Sequence, residues 1–145
     1  VSQQLTRRFR SADPADIDAW FDRIYPELEQ LIVTGQRAAN AATAQYLVNH
    51  AAAEGVLVRP ALVDGSTEQI ATSMRVTGPV AFKTSIAQTG SELAARRVMV
   101  KVATGAAQRL LLTPPRESVI ETVRQSTRIV GYRRVSTGSP CAFCA

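Results

Sequence analysis

The sequence predicts a mainly α protein, with five to six helices in a bundle-like or extended array and one β-strand near the C-terminus. Three observations carry this. Apolar residues make up 46% of the 145-residue chain but aromatics only 6%, so small side chains, alanine above all, suit close helix packing better than a sandwich of sheets. Large apolar residues recur at helical spacing in the first third. Gly and Pro then punctuate the rest at helix-length intervals. A chain of this length fits one domain of ordinary size.

The elements follow in order. "SADPADIDAWFDRIY" opens a helix, with Asp13 as cap, Pro14 at the first helical position, and Asp16 and Asp18 near its positive end. Ile17, Trp20, Phe21, Ile24, Leu28, Leu31 and Ile32 form one wide apolar stripe. Pro26 is expected to kink or restart this helix, because it brings no N–H to the turn behind it. Gly35 weakens the join to the Ala-rich stretch that follows. The expectation is therefore one long bent helix over 14–54, or two in series, ending near Gly55. The alanines of the second half should let a neighbour approach closely.

"VLVRPALVDG" (56–65) reads as an extended connector, with Pro60 pushing Arg59 out of helical geometry. Ser66 and Gln69 form a capping box for a short helix. Gly78-Pro79 punctuates it, and "PVAFKTSIAQTG" is a further short helix closed by Gly90. "SELAARRVMVKVATGAAQRLLL" is long and amphipathic, with Ala95, Met99, Val102, Ala106 and Leu110 on one side. Thr113 caps a last helix entered by Pro114 and Pro115, which turns Val119, Ile120 and Val123 inward. "TRIVGYRRVSTG" (127–138) is β-branched and alternates around a glycine, and is the expected strand. The predicted organisation is a helical N-terminal module over 1–127. Residues 128–145, a strand plus a C-x-x-C pair, then open a C-terminal domain not present in this chain.

Charge is unevenly spread. The net +5 divides into −3 over residues 1–74 and +8 over residues 75–145. A basic second half suits an acidic partner, either a nucleic acid or the acidic face of a protein. Arg96, Arg97, Lys101, Arg109, Arg124, Arg128, Arg133 and Arg134 are the candidate contacts. They could track phosphates, although Tyr132 alone supplies an interleaved aromatic and no nucleic-acid motif is visible. Residues 1–10 are polar and basic, without the apolar core of a signal peptide. No apolar run approaches the length of a membrane span, so no membrane partner is expected.

Catalytic motifs fare poorly. "GPVAFKTS" has Phe82 where a phosphate loop needs glycine directly before its lysine. His50 is the one histidine, it falls near a helix end, and no nucleophile elbow accompanies it. Asp13, Asp16, Asp18 and Asp22 sit at a helix start, where capping explains them. No catalytic residue is assigned. "TGSPCAFCA" places Cys141 and Cys144 as half of a tetrahedral zinc site. His50 alone cannot complete it, and a thioredoxin-like redox pair needs a following helix. The expectation is zinc held with ligands beyond residue 145, and otherwise no cofactor.

"DAWFDRIYPELEQLIVTGQRAANAATAQYL" and "GYRRVSTGSPCAFCA" resemble the corresponding segments of tailed-phage minor head proteins of the Mu F-like class, from phages of actinobacteria. In that group the Cys pair is followed by further His and Cys residues, which this chain lacks. The resemblance implies a virion structural protein, made in the host cytoplasm, packaged inside the head, and active in head morphogenesis. Its implied partners are the portal, the scaffold or the major capsid protein, with packaged DNA as a further contact. Two alternatives stand beside it: a capsid maturation protease and a basic nucleic-acid-binding module.

Overall fold

The computed structural model describes residues 2–129. Its helices are α1 (Ser2–Arg10), α2 (Ile17–Ala53), α3 (Thr67–Arg75), α4 (Ala81–Thr89) and α5 (Glu92–Gln125), with a π-helical turn, Val76–Val80, between α3 and α4. Backbone angles stay helical through that turn, so α3, the π turn and α4 form one rod. The described residues thus make four helical rods and no strand, which corrects the expected five to six helices. The predicted strand over 127–138 lies almost wholly outside the described residues, and its described part, 127–129, pairs with nothing.

The excess in the predicted helix count comes from prolines and glycines read as breaks. Pro26 sits on the exposed side of α2, so the carbonyl four residues behind it loses its partner toward solvent and the helix runs on. Gly35 is likewise passed without a break. Gly78 and Pro79 are buried within the π turn. Such a turn already interrupts the regular ladder, so a residue without an N–H fits there. A Cβ at Gly78 would meet the rings of Phe21 and Phe9, each at 3.4 Å. The rings of Phe21 and Phe9 thus pack directly against this stretch of the rod.

Pro114 and Pro115 do not start a new helix; they are buried inside α5. Thr113 is no cap, and its hydroxyl donates to the Arg109 carbonyl at 2.9 Å. Pro114 deprives the Leu110 carbonyl of its usual donor. Gln36 replaces it: Nε2 donates to that oxygen at 2.8 Å from across the α2–α5 interface.

Helix ends follow the predicted chemistry more closely. Ser66 and Ser91 accept from the amides of Gln69 and Ala94. The α2 cap is Asp16, which accepts from the Ala19 amide at 3.1 Å. Asp13 instead closes a tight turn onto the Ala15 amide, so Pro14 lies outside the helix. Gly55 and Gly90 end α2 and α4 with φ of +70° and +63°, a region open to glycine at little cost.

The core gathers Phe9 of α1, Trp20, Phe21, Leu28 and Ile32 of α2, Ile70 and Met74 of α3, Phe82 of α4, and Met99 and Leu110 of α5. Phe9 meets Trp20 edge-on with centroids 5.9 Å apart. The α2 stripe read from the sequence is thus the core face. The alanines that admit close neighbours are Ala95, Ala103, Ala106 and Ala107 of α5, not those in the second half of α2. There, residues 41–50 bury no side chain. Two further positions differ. Val102 is 37% exposed while Ala103 is buried, and Ile120 is 39% exposed while Ser118 and Thr122 face inward.

Those two hydroxyls hold the connector. Ser118 Oγ accepts from the Val63 amide and Thr122 Oγ1 from the Ala61 amide, at 2.8 and 2.9 Å. Asn40 Nδ2 donates to the Val63 carbonyl at 2.8 Å. Residues 56–65 carry no regular secondary structure, and side chains of α2 and α5 supply the partners of their Ala61 and Val63 backbone groups. A Cβ at Gly65 would stand 2.4 Å from the Gln36 amide oxygen, so the connector passes this network with no room for a side chain.

Candidate functional site

The α5 helix carries most of the candidate cations, and the structure sorts them into different roles. Arg96 is a clamp. Its guanidinium donates to the Arg10 and Ala12 carbonyls at 2.9 and 2.8 Å and to Glu92 at 3.0 Å. It thereby satisfies the frayed end of α1 and fixes it to α5, which removes it from the contact surface. Arg124 pairs with Glu121 at 3.0 Å. Arg97, Lys101 and Arg109 are exposed and make no ion pair among the described residues. Arg128 follows α5 and, with Arg59 of the connector, lines a hollow of about 600 Å³. Arg133, Arg134, Cys141 and Cys144 lie outside the described residues.

Three of the nine carboxylates of the acidic first half are paired internally. Asp18 pairs with Lys83 at 2.9 Å, Asp22 with Arg75 at 2.6 Å, and Glu27 with Arg8. These carboxylates do more than favour a helix start; they tie α2 to the neighbouring rods. The cations of α5's outer side keep their charge for something else.

Sequence reading missed the pattern that organises those cations. Val98, Val102, Gly105, Arg109, Leu112, Arg116, Val119 and Val123 recur at alternating spacings of four and three on α5, the repeat of a helix–helix seam. They flank the buried Ala95, Met99, Ala106 and Leu110 on the solvent side of the helix, with Val119 and Val123 half-buried. Val98 is 41% and Leu112 49% exposed. Lys101 borders the seam, and beside it Arg10, Leu93 and Arg97 rim a hollow of about 370 Å³. The signal was present in the spacing, but a helix with apolar residues on two sides shows little asymmetry.

The chemically reactive candidates do not converge. His50 is exposed and stacked on Tyr46, with centroids 5.7 Å apart. Phe82 of "GPVAFKTS" is core and Lys83 holds Asp18. No group of three His, Cys, Asp or Glu stands close enough to hold a metal among the described residues. One ionisable group is perturbed. Burial pushes the Tyr25 phenol above its ordinary value, and hydrogen bonding to Glu29 and that carboxylate's charge add to the effect, while Arg75 opposes it.

A mainly α body with an apolar, cationic seam on the solvent side of α5 is the class of molecule defined here, and sequence comparison sets it among phage proteins. Residues 1–145 match the family model described as VG15 protein, and the chain belongs to that viral protein family. No curated protein and no solved structure matches it.

Proposed function

We propose that this phage protein is a non-enzymatic minor head protein of the Mu F-like kind, housed inside the head, where it docks to the portal, the scaffold or the major capsid protein during assembly. The observation that carries the reading is the outer face of α5, where exposed Val98, Val102 and Leu112 stand among Arg97, Lys101, Arg109 and Arg116. A face of this kind, apolar at its centre and charged at its edge, is suited to a protein partner. Membership of a viral family and the resemblance of both chain ends to minor head proteins support the setting.

The test is co-expression of the chain with each head protein of its phage, followed by analysis of purified heads. The expected result is co-purification with one of them and a few copies per head. Absence from heads, together with no association in any pair, overturns the reading. Cleavage of scaffold or capsid protein by the purified chain, abolished by a point substitution, would establish the protease alternative instead.

A further inference from the structure

We infer that the outer seam of α5 receives an acidic amphipathic helix of its partner, laid across Gly105. The inference rests on the docking reading above and names the chemistry of what docks. Its first support is spacing: Val98, Val102, Gly105, Arg109, Leu112, Arg116, Val119 and Val123 form a continuous four–three repeat, the register in which one helix accepts the knobs of another. Among the described residues, Val98, Val102 and Leu112 of this face are exposed and nothing stands within 4 Å of a Cβ at Gly105, while Val119 and Val123 are half-buried.

Gly105 supplies an independent argument. It lies inside a helix of 34 residues, where glycine is the least favourable residue after proline. A Cβ built there meets nothing within 4 Å, so packing among the described residues gives no reason for its absence. A glycine on an open helix face permits a second backbone to approach closely. The notch is flanked by the exposed apolar side chains of Val102 and Leu112.

Charge selects the occupant. Arg109 and Arg116 stand in the seam itself and Lys101 beside it, and none has an ion pair among the described residues. Of the three α5 carboxylates, Glu92 and Glu121 are engaged by Arg96 and Arg124, and Glu117 is exposed beside Arg116. A second copy is a poor occupant. Parallel pairing would set Arg109 on Arg109, and antiparallel pairing about Gly105 would set Arg109 on Lys101, with like charges opposed in both. A phosphate backbone would meet the cations but leave the valines and leucines wet. A helix with apolar side chains along its seam and Glu or Asp beside them satisfies both.

The experiment uses the full chain and a synthetic helical peptide of about four heptads, with Leu at the seam positions and Glu beside them. A matched peptide carrying Lys for Glu is the control. The acidic peptide is expected to bind and the Lys peptide not. Gly105→Leu should weaken binding at least about tenfold while circular dichroism and thermal unfolding stay unimpaired, because the new side chain fills open space. The double variant Arg109→Glu/Arg116→Glu should invert the preference and bind the Lys peptide. Equal binding of both peptides, or binding indifferent to Gly105→Leu, overturns the inference. So does a wild-type dimer in solution that Gly105→Leu dissolves, or duplex DNA binding through Arg109 and Arg116 with no peptide binding. If Gly105→Leu still enters phage heads like the wild type, this seam falls and the docking reading stands. If the wild type enters no heads and binds no head protein, the docking reading falls.

Discussion

Gln36 shows how one side chain decides the course of a helix 74 positions away. Its amide is the donor that Pro114 withholds from Leu110, and it is 5% exposed. Gln36→Leu keeps the volume and removes the donor. The buried carbonyl is then unpaired, and the chain should lose about 1–3 kcal/mol, measured by urea unfolding with the slope unchanged. Tyr25 gives a second prediction. Its phenol is raised in the folded state, so the unfolded chain releases this proton first as pH climbs. The associated stability is complete below the ordinary tyrosine range near about 10 and is lost as pH rises through the folded value. Tyr25→Phe should therefore flatten the alkaline decline in unfolding midpoint and leave neutral pH almost untouched.

Among the elements, the connector over 56–65 is held in place by Ser118, Thr122 and Asn40. Thr122→Val keeps the shape and deletes the acceptor for the Ala61 amide. Hydrogen exchange at Ala61 should quicken by about tenfold or more, as a bond worth roughly 1 kcal/mol or above is lost, while the α2 core amides keep their rates. This level also separates what the sequence announced from what it hid. The α2 stripe was legible because seven large apolar residues repeat on one face, and Ser66, Gly55 and Gly90 act locally as their chemistry dictates. The prolines were misread because a break depends on whether the freed carbonyl finds another donor. For Leu110 that donor is on a different helix. The candidate cations were visible as a list, but Arg96 was sorted from Lys101 only by tertiary contacts to the Arg10 and Ala12 carbonyls.

Across the whole molecule, charge and packing divide the labour. The pairs joining Asp18, Asp22 and Glu27 to Lys83, Arg75 and Arg8 have side chains at least half exposed, so each contributes under about 1 kcal/mol. Stability resides in the core that Phe9, Trp20, Phe21 and Phe82 share with α5. Raising salt to about 1 M shortens the screening length to about 3 Å. It should leave the unfolding midpoint nearly unchanged while weakening capture of an acidic partner. Parallel thermal and binding titrations check this, and a collapse of both together would show that the surface pairs hold the fold. Phe9→Ala tests the complementary point. It should cost about 3–5 kcal/mol, because α1 has its fully buried aromatic there.

The π turn at Val76–Val80 carries one more consequence, for chain length. It fits an extra residue into an otherwise continuous rod by widening one turn, and Pro79, buried there, needs no donor in that widened ladder. Deleting Thr77 would restore a regular ladder, yet it would place Pro79 inside it with no N–H to give, and would displace Gly78 and Pro79 from their buried positions. A locally more regular backbone would thus yield a less stable protein, and insertions or deletions should be tolerated in the tail of α2 long before they are tolerated here.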